Sequence, residues 1–307
     1  MARRKKGNRV HGWVFLDKPL GMGSTQAVSM VRRAFNAQKA GHAGTLDPLA
    51  TGLLAIALGE ATKTVPYMTD AQKTYTFTVR WGEATETCDA EGEVCATSPR
   101  RPIRREITDV LPDLTGQIEQ APPAYSAIKI DGQRAYDLAR AGEQVEMAKR
   151  PVQVESLKLT GCPDEDHAGF EVCCGKGTYV RSLARDMAVA LGTQGHVTAL
   201  RRIATGGVSI DQCVAAGAFD DADADDLSGL LHPLEAVLGH LPVIELEEVA
   251  ASKVAHGNPV QVAKHTIAGD QFCNGAELLL TRSGTPMAIA RYMDGALQPV
   301  RVFQLDD

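Results

Sequence analysis

The 307-residue sequence has no run of about eighteen apolar residues, the length that a membrane-spanning helix needs. Its N-terminus, "MARRKKGNRV", is basic but continues into "HGWVFLDKP" instead of the apolar stretch of a secretory signal. The sequence therefore predicts neither a membrane span nor a signal peptide, and we expect a cytoplasmic protein.

Several signatures of metal and hydrolase sites are also missing. The seven cysteines are odd in number and none form a C-x-x-C pair, which favours reduced, buried thiols and no structural metal. The segment "GKGT" at 175–178 does not complete the triphosphate-binding pattern G-x-x-x-x-G-K-[ST]. G-x-S-x-G and H-E-x-x-H are absent as well, so serine-hydrolase and zinc-protease readings lose their main support.

The net charge of −6 argues on its own against a polyanionic partner, but the charge is unevenly distributed. Residues 211–250 hold ten acidic side chains and no lysine or arginine, so the rest of the chain carries +4. Residues 1–60 hold nine basic and three acidic side chains. This asymmetry permits a nucleic-acid-binding face that the overall pI of about 5.8 conceals.

Hydrophobic periodicity predicts an α+β protein. "GWVFLDKP" indicates a strand, and "GSTQAVSMVRRAFN" indicates a helix with Ser24 or Thr25 as N-cap. "KTYTFTVRW" alternates as a strand does, with Tyr75, Phe77, Val79 and Trp81 on one face. "LLAIAL" is too short to assign by periodicity.

Further segments extend this pattern. "EATKTVPYM" predicts a helical turn broken near Pro66, and "PVQVESLKLT" and "GFEVCC" predict strands. "GQRAYDLARAG" and "TYVRSLARDMAVALG" predict helices closed by Gly142 and Gly192. Because strands occur in groups, we expect a mixed, mainly antiparallel sheet with flanking helices.

The sequence pattern changes at about Leu241, where short strand-like runs alternate with turns such as "HGNP", "SGTP" and "DG". This pattern predicts a small all-β C-terminal domain. We therefore divide the chain into a basic tail at 1–11, a large α+β domain at 12–240 and a C-terminal domain at 241–307.

The segment "AGHAGTLDPLATG" is a tight loop with one acidic residue and no lysine or arginine. Pro48 biases Asp47 toward an extended conformation, and Gly41, Gly44 and Gly52 allow the backbone to approach a ligand closely. Such a loop presents one carboxylate rigidly. Taken alone, Asp47 could equally cap the following turn.

Several motifs resemble, in order and spacing, the bacterial TruB family of tRNA pseudouridine synthases. They are "GHAGTLDPLATG", "LGEATK", "KTY", "AYSAIKIDGQRAYDLARAG", "KGTYVRSLARD" and "HVTALRRIATG". The resemblance runs from about Gly12 to Gly207, and "HGNPV" matches a turn of that family's PUA-type RNA-binding domain.

The resemblance implies isomerisation of uridine to pseudouridine at position 55 in the T-loop of tRNA, with no cofactor. Asp47 matches the family's catalytic carboxylate, an ordinary nucleophile for such a centre. Arg181 matches its cationic partner, and Tyr75 matches the tyrosine that lies against the target base. By pattern alone, Tyr75 is a core residue of a strand and Arg181 is a surface arginine at a helix start.

Six further residues lie in matching motifs and are expected to bind substrate. His42 is suited to stacking in the RNA after the uridine is flipped out, although a lone histidine is more often a hydrogen-bonded turn residue. Tyr125 and Tyr179 would shape the pocket wall. Lys18, Lys63 and Lys129 would meet phosphates or hold the loop, although solvated lysines need no function.

Phosphate contacts are expected from clustered arginines and lysines: "RRKK" with Arg9, Arg32 and Arg33, "RRPIRRE", and Arg201 and Arg202. We expect a monomer that binds the T-arm stem-loop of tRNA without an obligatory protein partner, guide RNA or membrane. Two alternatives stay open: an RNA-binding module or tRNA folding chaperone, and a relative that depends on guide RNA and partner proteins.

Overall fold

A computed structural model describes residues 7–126, 128–130, 132–140, 147–220, 222–261 and 272–305. No helix in these ranges is long and apolar enough to cross a membrane. The strands are, in chain order, β1 (Gly12–Lys18), β2 (Ala40–Ala43), β3 (Ala50–Leu58), β4 (Lys73–Trp81), β5 (Glu83–Thr85), β6 (Val94–Thr97), β7 (Gly116–Gln120), β8 (Lys129–Ile130), β9 (Gln133–Arg134), β10 (Arg150–Gly161), β11 (His167–Cys174), β12 (Gly195–Thr205), β13 (Val208–Ser209), β14 (Val214–Ala215), β15 (Val243–Glu245), β16 (Val260–Gln261), β17 (Glu277–Arg282), β18 (Thr285–Met293) and β19 (Ala296–Val302).

The helices are α1 (Ser24–Ala34), α2 (Val65–Asp70), α3 (Arg104–Val110), α4 (Ala135–Arg140), α5 (Val180–Ala190), α6 (Ala224–Gly229) and α7 (Glu248–Ala255). Short 3₁₀ turns cover Gly59–Lys63, Pro112–Leu114, Ile210–Gln212, Ala216–Phe219 and Leu234–Val237.

The larger sheet has the strand order β14-β1-β3-β12-β4-β11-β10-β7, with β2 paired to β3 and β13 paired to β12. The β1–β14 and β3–β12 pairs are parallel and the other pairs are antiparallel. The expected mixed, mainly antiparallel sheet is confirmed. The segment that periodicity could not assign belongs to β3, a central strand with apolar residues buried on both faces.

Two expectations about helix ends were wrong. The N-cap of α1 is Gly23, and Ser24 is the first helical residue. Pro66 does not break a helix, because it lies in the first turn of α2, where the missing N–H has no intrahelical partner to lose. Gly192 follows the last residues of α5 with φ +67°, as expected, whereas Gly142 lies outside the described residues.

Each face of the large sheet is covered by a different layer. Helices α1 and α5 pack on one face through a cluster that includes Val14, Leu54 and Leu183. Trp13, Phe15 and other side chains of the opposite face pack against the C-terminal region. The loop between β2 and β3 lies at the start of β3, a central strand of the sheet.

The C-terminal region forms its own sheet in the order β15-β17-β18-β19-β16. The expected C-terminal β domain is confirmed, but it also contains α7, which the expectation of strands alone did not include. Leu279, Ile289 and Phe303 join the apolar cluster beneath β1 and β3. Tyr67 Oη also donates to Glu277 Oε2 over 2.6 Å.

Candidate active site

The loop that carries Asp47 is fixed on both sides of the aspartate. Ser24 Oγ accepts a hydrogen bond from Leu46 N (2.8 Å) and donates one to Leu46 O (2.7 Å). Pro48 O accepts from Gly21 N over 2.9 Å. Ser24 therefore binds the loop instead of capping the helix. The hydrogen bonds on both sides of Asp47 restrain the backbone that positions its carboxylate.

Two of the three loop glycines have a positive φ, +84° at Gly44 and +95° at Gly52, a region that side-chain-bearing residues rarely occupy. At Gly52 an added Cβ would lie 2.2 Å from the backbone oxygen of Arg202. The close approach at Gly52 is thus to a neighbouring strand and not to a ligand. Gly41 lies in β2 with an ordinary φ, so its backbone needs no glycine.

Asp47 opens into a cavity of about 280 Å³, close to the lower limit of small-ligand sites, about 300 Å³. The wall combines polar and apolar groups from five parts of the chain: Gly44, Thr45, Leu46, Asp47, Ala50, Thr69, Lys73, Tyr75, Ser126, Gly175, Lys176, Gly177, Thr178, Tyr179, Val180, Arg181, Leu200 and Arg202. We call this cavity the Asp47 pocket. The Asp47 side chain is 38% exposed, so an incoming group can reach its carboxylate.

Arg181 forms an ion pair with Asp47, with 2.8 Å between Nη2 and Oδ2. Its guanidinium also donates to Thr87 O (2.9 Å) and Tyr125 O (3.1 Å). Arg181 is buried in the first turn of α5, an unfavourable place for a cation because of the helix dipole. The pairing that the motifs imply is therefore present, and the arginine is not a surface residue.

Asp89 is a second carboxylate beside Arg181, and the sequence analysis missed it. Its Oδ2 lies 3.4 Å from Nη1 of Arg181, and the side chain is 2% exposed. Oδ1 accepts from Thr87 Oγ1 (2.5 Å) and from Glu91 N (3.0 Å). Burial and the charges of Asp89 and Asp47 raise the pKa of Glu91, so this side of the site is strongly acidic.

Tyr75 and Arg202 form the inner wall of the Asp47 pocket. Burial raises the pKa of the Tyr75 phenol, while the nearby charge of Arg202 and a hydrogen bond from it act in the opposite direction. Arg202 is 1% exposed and donates from Nε to Leu53 O (2.7 Å) and from Nη2 to Gly44 O (3.1 Å). It therefore supports both the loop and the tyrosine.

Lys73 is a buried cation in the same wall that the sequence analysis did not single out. Its Nζ donates to the carbonyls of Thr69 and, over 2.6 Å, Ala71. Burial, reinforced by the charge of Arg202, lowers the pKa of Lys73 to about 8. The motif "KTY" contained the signal, because a lysine two residues before Tyr75 shares its side of the strand.

Lys18 and Lys63 both lie outside the wall of the Asp47 pocket. Lys18 is fully buried and donates to Met22 O (2.6 Å), Pro19 O (3.1 Å) and Pro48 O (3.4 Å). It matches the expected loop-holding role and cannot meet a phosphate. The Nζ of Lys63 donates to Glu60 and, over 2.6 Å, to Val302 O of the C-terminal domain. The substrate contact of Lys63 stays a prediction, since its amine joins two domains while its side chain is 30% exposed.

The other expected substrate contacts are placed as follows. Tyr179 lines the Asp47 pocket with its backbone paired to Gln120. Tyr125 lines an adjoining cavity of about 540 Å³ that also contains Asp47, Asp89 and Arg181. His42 lies on β2 and outside both walls, and burial together with the Arg202 charge lowers its pKa. Lys129 is in β8, and its side chain lies outside the described part of the chain.

Some of the arginines that we expect to contact phosphates are exposed, and others already pair with groups of the protein. Arg32 and Arg33 are exposed at the end of α1, beside Asn36 and Gln38. Arg201 forms two hydrogen bonds with the carboxylate of Asp17 (3.0 and 2.7 Å). The expectation for Arg202 was wrong, because this guanidinium is buried under the Asp47 loop. In "RRPIRRE", Arg100 and Arg101 pair with Glu106 and Asp166.

The fold is similar to that of chains in two solved complexes. A chain of the crystal structure of a Cbf5-Nop10-Gar1 complex aligns with a TM-score of 0.72 at 24% identity, covering 95% of this chain and 85% of that one. A chain of an H/ACA RNP bound to a substrate RNA containing 2'-deoxyuridine aligns with a TM-score of 0.73 at 20% identity, covering 100% and 92%. At these identities the likeness concerns the fold.

Sequence comparison gives the family. The model of the TruB family pseudouridylate synthase N-terminal domain matches residues 32–180, and that of the tRNA pseudouridylate synthase B C-terminal domain matches 181–239. The tRNA pseudouridine synthase B of Paracoccus denitrificans is 51% identical over 98% of this chain and 99% of its own length. That of Ruegeria pomeroyi is 50% identical over 99% of both chains. The chain belongs to the TruB family of pseudouridylate synthases, enzymes that isomerise uridine to pseudouridine in tRNA.

Proposed function

We propose that this chain converts uridine 55 in the T-loop of tRNA to pseudouridine, with Asp47 as the reacting carboxylate. The observation that carries the proposal is the ion pair between Asp47 and Arg181 in the wall of the Asp47 pocket, a cavity of about 280 Å³. The relatives named tRNA pseudouridine synthase B support the substrate class. The resemblance of this chain's motifs to those of the TruB family supports position 55 of the T-loop as the modified uridine.

The reaction is an isomerisation, so its atoms balance without a co-reactant. The N1–C1′ bond breaks, the uracil turns, C5 bonds to C1′, and the proton lost from C5 is replaced by one gained at N1. Asp47 supplies the carboxylate that reacts with the nucleotide while the base is detached. Arg181 pairs with that carboxylate and keeps it in a fixed position.

Tyr75 supplies a ring against the detached base and a phenol that can take part in moving the proton. Its place beside Arg202 in the inner wall supports this role. A Tyr75→Phe variant keeps the ring and removes the hydroxyl, so its turnover separates the two contributions. His42 would stack in the RNA after the uridine leaves its place in the loop, as the target of a base-modifying enzyme must.

RNA binding is proposed to use the exposed arginines of α1 and the basic N-terminal tail, with the PUA-like C-terminal domain on the acceptor side of tRNA. We propose that the chain acts alone, without guide RNA or protein partner. Incubation of the purified chain with an unmodified T-arm hairpin, followed by mapping of pseudouridine through its selective carbodiimide labelling, tests both points. Conversion at the position equivalent to 55 is expected. No conversion, or conversion only when a guide or partner is added, would contradict the proposal.

A further inference from the structure

Ser126 has a buried hydroxyl at the wall of the candidate site, and the described residues provide no hydrogen-bond partner for it. Its side chain lines both the Asp47 pocket and the adjoining cavity that contains Asp89. The residue is 4% exposed, and its Oγ has no hydrogen-bond partner within the part of the chain that the structure describes. Leaving a buried hydroxyl without a partner is unfavourable, so a ligand that supplies one would be favoured at this point.

The backbone around Ser126 is anchored to the elements that carry the catalytic residues. Ser126 N donates to Ala124 O (3.0 Å), and Ser126 O accepts from Tyr136 N (3.1 Å) at the start of α4. The preceding carbonyl, Tyr125 O, accepts from Arg181. Further back, Ala121 O accepts from Ser182 and Arg185 of α5. The hydroxyl is therefore held next to the Asp47–Arg181 pair before any substrate arrives.

The chemistry of the reaction indicates which ligand atom fits this hydroxyl. Uracil presents the carbonyl oxygens O2 and O4 on either side of N3–H. Turning the detached base by half a revolution about its N3–C6 axis exchanges N1 with C5, and it also exchanges O2 with O4. A donor that faces one carbonyl before the turn therefore faces the other carbonyl afterwards.

We propose that the Ser126 hydroxyl donates a hydrogen bond to one carbonyl oxygen of the target uracil, O2 or O4, in the substrate and to the other in the product. Such a donor holds the base in its plane while it is detached and does not distinguish the starting orientation from the final one. This inference rests on the proposed function, because it takes the target uridine as the occupant of the Asp47 pocket. It assigns Ser126 as a substrate-binding residue of the reaction.

A Ser126→Ala variant gives the first test, with single-turnover conversion of the T-arm hairpin and thermal unfolding as its two readouts. We expect a rate about tenfold lower, the effect of one lost hydrogen bond. We also expect an unfolding temperature equal to or above that of the unsubstituted chain, since the variant loses no protein contact. Ser182→Ala is the matched control, because the Ser182 hydroxyl is buried and donates to Ala121 O (2.8 Å); its unfolding temperature should fall.

Hairpins with 2-thiouridine or 4-thiouridine at the target position test the contact atom by atom, since sulfur is a weak hydrogen-bond acceptor. Sulfur should slow the unsubstituted chain more than it slows Ser126→Ala. Equal slowing of both, or equal rates of both on the uridine hairpin, would overturn the assignment of Ser126 alone. If the unsubstituted chain converts no hairpin, the proposed function fails and the inference falls with it.

Discussion

The guanidinium of Arg181 lies 2.8 Å from the carboxylate of Asp47, although the two residues are far apart in sequence. Arg181 also forms an ion pair with Asp89 and donates hydrogen bonds to two backbone carbonyls. Because these contacts fix the guanidinium while the Asp47 side chain is 38% exposed, the arginine serves as a fixed support for a carboxylate that is open to substrate.

Replacement of Asp89 by asparagine tests this support. The substitution keeps the shape but removes the buried negative charge beside Arg181, so the guanidinium should lose its fixed orientation. We expect single-turnover conversion to fall about 10- to 100-fold and the free energy of unfolding to fall by about 1–3 kcal/mol. Asp164→Asn, at an exposed aspartate paired with His167, is the control and should change neither quantity. Wild-type turnover in Asp89→Asn would show that Asp89 does not support the site.

Lys73 gives a prediction about pH. Its pKa is about 8 in the folded chain, below the ordinary value of 10.5, so the unfolded chain binds the proton more tightly than the folded chain. Protonated Lys73 thus costs stability below pH 8, and this cost is relieved as pH rises from about 8 to 10.5, by up to about 3 kcal/mol. NMR of ¹³C-labelled lysines should show one side chain that titrates near pH 8 and is missing from Lys73→Met.

Unfolding measurements give a second readout for Lys73. Between pH 8 and 10, the wild-type chain should gain stability relative to Lys73→Met, which has no titrating group at this position. If the stability difference between the two chains stays constant over that range, the lysine has an ordinary pKa and the predicted burial cost is absent.

The different positions of Lys63 and Arg33 give a prediction about RNA binding. Each phosphate contact contributes a slope of about −0.7 to −0.9 to the dependence of log K on log salt concentration. Arg33→Gln should therefore weaken binding and make the slope shallower by about one contact. Lys63→Gln should leave the slope unchanged and lower the unfolding temperature, because its amine joins the two domains. A shallower slope in Lys63→Gln would show instead that Lys63 contacts an RNA phosphate, as the sequence motif suggested.

Local patterns in the sequence were sufficient for the elements whose two faces differ. The alternation in β4 and the spacing of Val180, Leu183 and Met187 in α5 both follow from one buried face. β3 could not be assigned, because a central strand buried on both faces has no periodicity to distinguish it from a helix. The helix α7 was missed although Gly257, with φ +77°, and Pro259 mark its end.

The site residues that lie in family motifs could be predicted from the sequence. The roles of side chains that bind backbone carbonyls distant in sequence could not. Asp47, Tyr75 and Arg181 are brought together as expected. The roles of Arg202 and Lys18 depend on carbonyl groups such as Leu53 O and Met22 O, and a sequence does not show which carbonyls lack partners. Asp89 lies in the acidic segment "DAEGE", which looks like a solvated turn until its contact with Arg181 is seen.

The role of the Asp47 carboxylate is tested most directly by the Asp47→Asn variant, measured for both binding and conversion of the T-arm hairpin. The account predicts that conversion falls by at least about 10⁴-fold, as when a nucleophile is removed, while the Kd changes by less than about threefold and the unfolding temperature stays close to wild type. Conversion by Asp47→Asn at a rate near that of the unsubstituted chain would contradict the central claim that the Asp47 carboxylate reacts with the nucleotide.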